Sequence, residues 1–122
     1  MVGGIDCMDY DKVLSAAYSA VLEQKGEDPV ILDLRELTVV TDYFLITTGR
    51  NPNHLKAMAD RVLEDLGALG LTPARREGDH GARWILLDYG FLVIHLLGQD
   101  EREFYRLEEL WYGAKRLTPT IA

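Results

Sequence analysis

The side chains whose types and spacing could do chemistry fall in a few stretches. The most unusual is Trp84-Ile85-Leu86-Leu87-Asp88-Tyr89-Gly90-Phe91-Leu92-Val93-Ile94-His95-Leu96-Leu97. Two apolar runs meet at Asp88-Tyr89-Gly90, where glycine supplies the backbone freedom of a reversal. The pattern is that of an antiparallel hairpin near the centre of a sheet, carrying Trp84, Asp88, Phe91 and His95. His95 with Asp88 could form an acid–base pair. With no nucleophile or metal motif beside them, a hydrogen-bonded or interface histidine is the better reading. The register is open. A Tyr89-Gly90 turn would set Trp84 opposite His95 and Asp88 opposite Phe91, on one face. A three-residue Asp88-Tyr89-Gly90 loop would set Leu87 opposite Phe91 and separate Trp84 from His95. Tyr at positive φ is unfavourable, which argues for the second option. The hairpin's aromatics could form a binding face, because Trp and Tyr are favoured interface anchors, while Trp84 reads equally well as a core tryptophan.

A second candidate is Gly49-Arg50-Asn51-Pro52-Asn53, where a strand runs through glycine into a helix start. Such a turn can hold an anion. It lacks the Walker and dinucleotide glycine patterns, so a capped turn is favoured. Nucleotidyl transfer would also need paired carboxylates for metal ions. Asp33-Leu34-Arg35 supplies one, and nothing acidic is spaced with Asp88. His54, His80 and His95 fall on a helix start, a loop and a strand, without metal-ligand spacing. Ser15 and Ser19 read as ordinary helical positions. No catalytic residue, metal or cofactor is expected.

The elements that must position these groups follow from periodicity. Val13, Leu14, Ala17, Tyr18, Val21 and Leu22 mark a first helix that Gly26 ends. Val30–Arg35 and Asp42–Thr48 read as strands, the second apolar on both faces as a covered central strand is. Asn51 caps and Pro52 starts a long helix that Gly70 closes. Ala74–Glu77 suits a polar edge strand. After the hairpin, a last helix from Gly98 is expected to bury Phe104, Leu107, Leu110 and Trp111, with Glu108 and Glu109 facing water and Lys115 and Arg116 near its C-terminus. Thr118–Ala122 reads as a loose tail. The order α-β-β-α-β-β-β-α predicts an α/β fold with a mixed five-stranded sheet flanked by helices. One domain over residues 1–122, ordered over about 9–116, accounts for the length.

Hydrophobic residues make up 48% of the chain, and the formal charge is −7. The first figure indicates a folded protein. The second, with no basic run interleaved with aromatics, argues against direct nucleic-acid binding and suits a basic protein partner. Cys7 is the single cysteine, so no internal disulfide forms. No signal-peptide pattern opens the chain, and no apolar run approaches the ~18–20 residues of a membrane span. A cytoplasmic location is expected.

The ordered set Asp42–Gly49, His54–Asp60, Trp84–Gly90, Val93–His95 and Arg102–Trp111 resembles the ribosomal silencing factor family, also called RsfS or Iojap-like. The similarity runs from about Asp9 to Trp111. It implies a nucleotidyltransferase-like topology without catalytic acids, and a non-enzymatic translational repressor. Such a repressor binds a large-subunit ribosomal protein, number fourteen, on the inter-subunit face. It thereby blocks joining of the subunits when nutrients are scarce. Free members are often homodimers. The family's ribosome-contacting hairpin corresponds here to Trp84, Asp88, Tyr89 and neighbours, among them Phe91 and His95. Asn51 stands where the family usually has Ser, and Phe91 where it usually has Asp. Two rival readings follow from the residues alone: a nucleotide-binding or nucleotidyltransferase-like enzyme using the Gly49 loop, and a dimeric scaffold for another basic partner.

Overall fold

A computed structural model describes residues 10–78 and 81–117. Cys7, His80 and the 118–122 tail lie outside them. Helix α1 spans Tyr10–Glu23 and buries Val13, Leu14, Ala17, Ala20 and Val21, a stripe at helical spacing. Its end differs in detail from expectation. Lys25 takes the left-handed conformation (φ 63°), and the Gly26 amide donates to the Val21 carbonyl. Gly26 is required for another reason: a Cβ there would stand 2.8 Å from Thr47 Oγ1 and 2.9 Å from Met58 Sδ.

Strands β1 (Glu27–Asp33) and β2 (Tyr43–Gly49) pair antiparallel. Helix α2 (Pro52–Ala68) starts as expected, with Asn51 Oδ1 accepting the His54 amide at 2.8 Å and proline in the first turn. It closes with Leu71 N–H donating to the Leu66 carbonyl and Gly70 at φ 89°. Then come β3 (Arg75–Glu77), β4 (Trp84–Asp88), β5 (Leu92–Gly98), α3 (Gln99–Tyr105), α4 (Leu107–Leu110) and β6 (Lys115–Leu117).

The sheet has six strands, not five, in the order β3-β4-β5-β2-β1-β6. Only β2 and β5 run parallel, with α2 in the connection. The extra strand is the segment expected at a helix C-terminus. Lys115 and Arg116 instead pair with Asp33 and Leu32 along the β1 edge. Side chains alternate across the sheet. Ile31, Leu45, Ile85, Leu87, Ile94 and Leu96 pack with α1 and α2. Leu32, Leu34, Ile46 and Leu97 form a second, smaller core on the other face, beneath Leu107.

The last helix is broken. Arg106 adopts φ 48°, dividing α3 from α4. One left-handed residue shifts the helical phase, so the expected stripe does not hold. Leu107 is buried and Trp111 half-buried, but Phe104 is 79% and Leu110 71% exposed. Glu108 does not simply face water, because it is ion-paired to Arg102.

Candidate docking face

The hairpin takes neither expected register. Trp84 pairs with Leu97, Leu86 with His95, and Asp88 with Val93. Tyr89 to Leu92 make the turn, closed by the Tyr89 amide donating to the Leu92 carbonyl at 2.8 Å. Local chemistry explains the choice. Asp88 Oδ1 accepts the Gly90 amide at 2.8 Å, and Gly90 takes the positive φ of 89°, so Tyr89 is spared it.

This register still places Trp84, Leu86 and Asp88 on the face of Val93, His95 and Leu97, the face of the smaller core. Trp84 and His95 are diagonal neighbours there. The indole Nε1–H donates to His95 Nδ1 at 3.2 Å. The His95 proton therefore sits on Nε2, which is buried and without a hydrogen-bond partner among the described residues. Asp88 is engaged by its own turn and makes no acid–base pair with His95. Tyr89 and Phe91 go to the opposite side. Tyr89 packs against the α1–α2 core, where burial pushes its hydroxyl up to about 12. Phe91 stacks on Tyr10 at 4.3 Å, and its carbonyl accepts the Tyr43 amide. The structure thus joins Trp84, His95 and Asp88 on one face and divides them from Tyr89 and Phe91.

Sequence reasoning missed the rings that extend this face. Trp111 meets Phe44 edge-on at 5.9 Å, and Phe44 meets His95 at 4.5 Å. Trp84 lies 5.9 Å from His95 and 4.8 Å from Tyr105, which meets Phe104 at 5.0 Å. A continuous ring chain crosses the sheet from Trp111 to Phe104. It is buried at His95 and open at Tyr105 and Phe104. Leu110 and Tyr112 stand exposed on the same segment, interspersed with Glu108 and Glu109. The signal available in the sequence was composition: Phe104, Tyr105, Leu110, Trp111 and Tyr112 are more apolar residues than one short helix can bury.

Burial, without a compensating charge, pushes His95 down to about 4 from an ordinary 6.5. Between those values the unfolded chain binds the extra proton, so stability falls as pH drops through that window and is unaffected by this residue above it. The loss by pH 4.5 is on the order of 2–3 kcal/mol. Urea unfolding of the wild type and His95→Gln at pH 7.5 and 4.5 checks it. The variant, which can still accept from Trp84, should lose clearly less. Equal losses would clear His95 of the effect.

The Gly49–Asn53 turn is built as a cap. Besides the Asn51 bond, the Arg50 amide donates to His54 Nδ1 at 2.9 Å, and His54 Nε2–H donates to the Gln24 carbonyl at 2.6 Å. A Cβ on Gly49 would lie 2.6 Å from Leu55 Cδ2, so the glycine serves close strand–helix packing. The crevice beside the turn, about 200 Å³, is lined by Arg50 and Arg83 but also by Asp100 and Glu101, so it presents no net positive charge to a phosphate. Asp33 is held by Arg35 through Nε at 2.9 Å and Nη2 at 2.7 Å, which keeps its carboxyl below the usual range. Among the described residues no group of three or more His, Cys, Asp or Glu is placed to hold a metal ion. No helix of the described residues is long and apolar enough to cross a membrane.

The chain is similar to several known proteins. Residues 8–121 match the family described as "Ribosomal silencing factor during starvation". The ribosomal silencing factor RsfS of Bacillus subtilis is 35% identical over 107 residues, covering 88% of this chain and 91% of its own. A mouse protein named mitochondrial assembly of ribosomal large subunit protein 1 is 30% identical over 96 residues, 76% of this chain and 42% of its own. A crystal structure of a Chromobacterium violaceum protein superposes with a TM-score of 0.80 at 30% identity, covering 91% of this chain and 90% of the other.

Proposed function

Since this chain belongs to the ribosomal silencing factor (RsfS) family, we propose that it represses translation by binding the large ribosomal subunit and sterically preventing the small subunit from joining. The partner is a basic ribosomal protein, number fourteen of the large subunit, on the inter-subunit face. The name of the mouse relative, which refers to assembly of the ribosomal large subunit, supports that choice of subunit. The action is one of occupancy and not of turnover, so it needs a shaped patch and no catalytic group.

The observation that carries the reading is the ring chain centred on Trp84. A stable patch buries about 800 Å² per partner around aromatic anchors within a polar rim. Trp84 and Tyr105 supply the anchors, with His95 holding the indole from below. Phe104, Leu110 and Tyr112 add exposed apolar area. Asp88 stands at the hairpin end of the patch, and Tyr89 and Phe91 anchor the hairpin tip from the opposite face. A chain of charge −7 complements a basic partner and speeds the encounter. Free in the cytoplasm, two copies would pair, which shields exposed rings from water.

A subunit-joining assay by light scattering tests the proposal. Adding the chain to large subunits before small ones should reduce the joining amplitude in proportion to occupancy. Adding it to preformed ribosomes should do far less, because the face is covered. Undiminished joining at saturating chain would refute it.

A further inference from the structure

Neither half of the broken helix is able to hold its own position. Helix α3 has 7 residues and none buried; α4 has 4 and buries Leu107. Helices this short have no independent stability. They nevertheless carry the outer rings: Tyr105 is the last residue of α3, and Trp111 lies just beyond α4.

Arg102 is where the surrounding elements converge. From α3 its Nη2 and Nε donate to Glu108 Oε2 in α4 at 2.6 and 3.1 Å. Its Nη1 donates to Thr48 Oγ1 in β2 at 3.0 Å and to the Glu27 carbonyl in β1 at 3.3 Å. The two charged side chains are only 14% and 17% exposed, unlike the other ion pairs of the surface. They also sit on either side of Arg106, the residue whose left-handed backbone breaks the helix. The ion pair therefore spans the break and, through Thr48 and Glu27, fastens both halves to the sheet. A guanidinium can do this because its planar fork reaches several acceptors at fixed angles; an ammonium cannot match that geometry.

We infer that Arg102, acting through Glu108, is the positioning residue of the docking face: it sets the angle between α3 and α4 and so places Tyr105 on Trp84 and Trp111 on Phe44. This rests on the docking reading above. Arg102 touches no partner in this account. It lines a polar cleft of about 760 Å³ with Glu27, Thr48, Glu103 and Glu108, and no aromatic ring lines that cleft.

The experiment compares wild type, Arg102→Met, Arg102→Lys, Tyr105→Ala and the Arg102→Met/Tyr105→Ala double variant. Hydrogen exchange is read by segment, and affinity by co-sedimentation with purified large subunits. Arg102→Met should speed exchange over 105–112 by about tenfold or more while α2 and β5 keep wild-type protection. It should weaken binding by about tenfold, with Arg102→Lys between it and wild type. The double variant should lose less than the product of the single losses, because both act through Tyr105. Equal acceleration in α2 and β5 would make Arg102 a general stability residue and overturn the inference. So would wild-type binding by Arg102→Met alongside weak binding by Tyr105→Ala. Should Arg102→Met fail to fold, Arg102→Lys carries the same comparison. Failure of the docking reading looks different: Tyr105→Ala would bind as wild type, while the exchange pattern still reports on Arg102.

Discussion

Trp84→Ala should bind large subunits about 30-fold or more weakly while remaining folded, the loss expected of a central aromatic hot spot. The indole is half-buried, so its removal takes away contact with Tyr105 and leaves His95 Nδ1 without its donor. The larger α1–α2 core does not include this side chain, so the stability cost should stay near 1–3 kcal/mol. Trp84→Phe separates the two roles. It keeps a ring against Tyr105 but donates nothing to His95, so it should recover most of the binding and little of the stability. Circular dichroism and urea unfolding establish folding, and gradient co-sedimentation reads affinity. A folded Trp84→Ala that binds like wild type would remove the anchor from the account.

Gly78→Ala should be among the most destabilising single changes in the chain. Gly78 sits at φ 104°, which L side chains rarely adopt, and a Cβ there would stand 2.7 Å from the Trp84 carbonyl oxygen and 2.9 Å from Ile85 Cα. Both atoms are backbone, so no side-chain rotation relieves the overlap, and β4 itself must move. Backbone strain and overpacking each cost about 1–3 kcal/mol, giving a combined loss of roughly 3 kcal/mol. The melting temperature should fall by roughly 10 °C. Gly70→Ala is the control, because Gly70 has φ 89° but nothing within 4 Å of its Cβ. It should cost about 1 kcal/mol. If the two variants lose the same stability, the close approach of residue 78 to β4 is not what demands glycine. Because the displaced backbone is that of Trp84, any folded Gly78→Ala should also bind large subunits poorly.

Much of the positioning frame was legible because its rules are local. Asn51, Pro52 and Gly70 punctuate α2 as their side chains and backbones require. The apolar run of β2 gave away a strand covered on both faces. The site was harder to read, and each reason is specific. The hairpin register depended on Asp88 folding back to accept the Gly90 amide, which shifted the turn towards Phe91 relative to both expected loops. The helix break fell on Arg106, a residue with good intrinsic helix propensity. Arg102 and Glu108 pair across it, a contact visible only in three dimensions. Strand β6 has three residues, too few to show a period, and exists because the β1 edge offers partners. The hairpin face was thus anticipated in part, whereas its extension onto α3 and α4 was hidden by the very break that exposes Phe104 and Leu110.

Docking of the Trp84 face on the large subunit can be read from gradient sedimentation of the purified chain with isolated large subunits, isolated small subunits and joined ribosomes. The wild type should travel with large subunits alone, and folded Trp84→Ala should stay at the top of every gradient. Wild-type chain absent from the large-subunit fraction, or folded Trp84→Ala travelling with it undiminished, would rule out docking through this face.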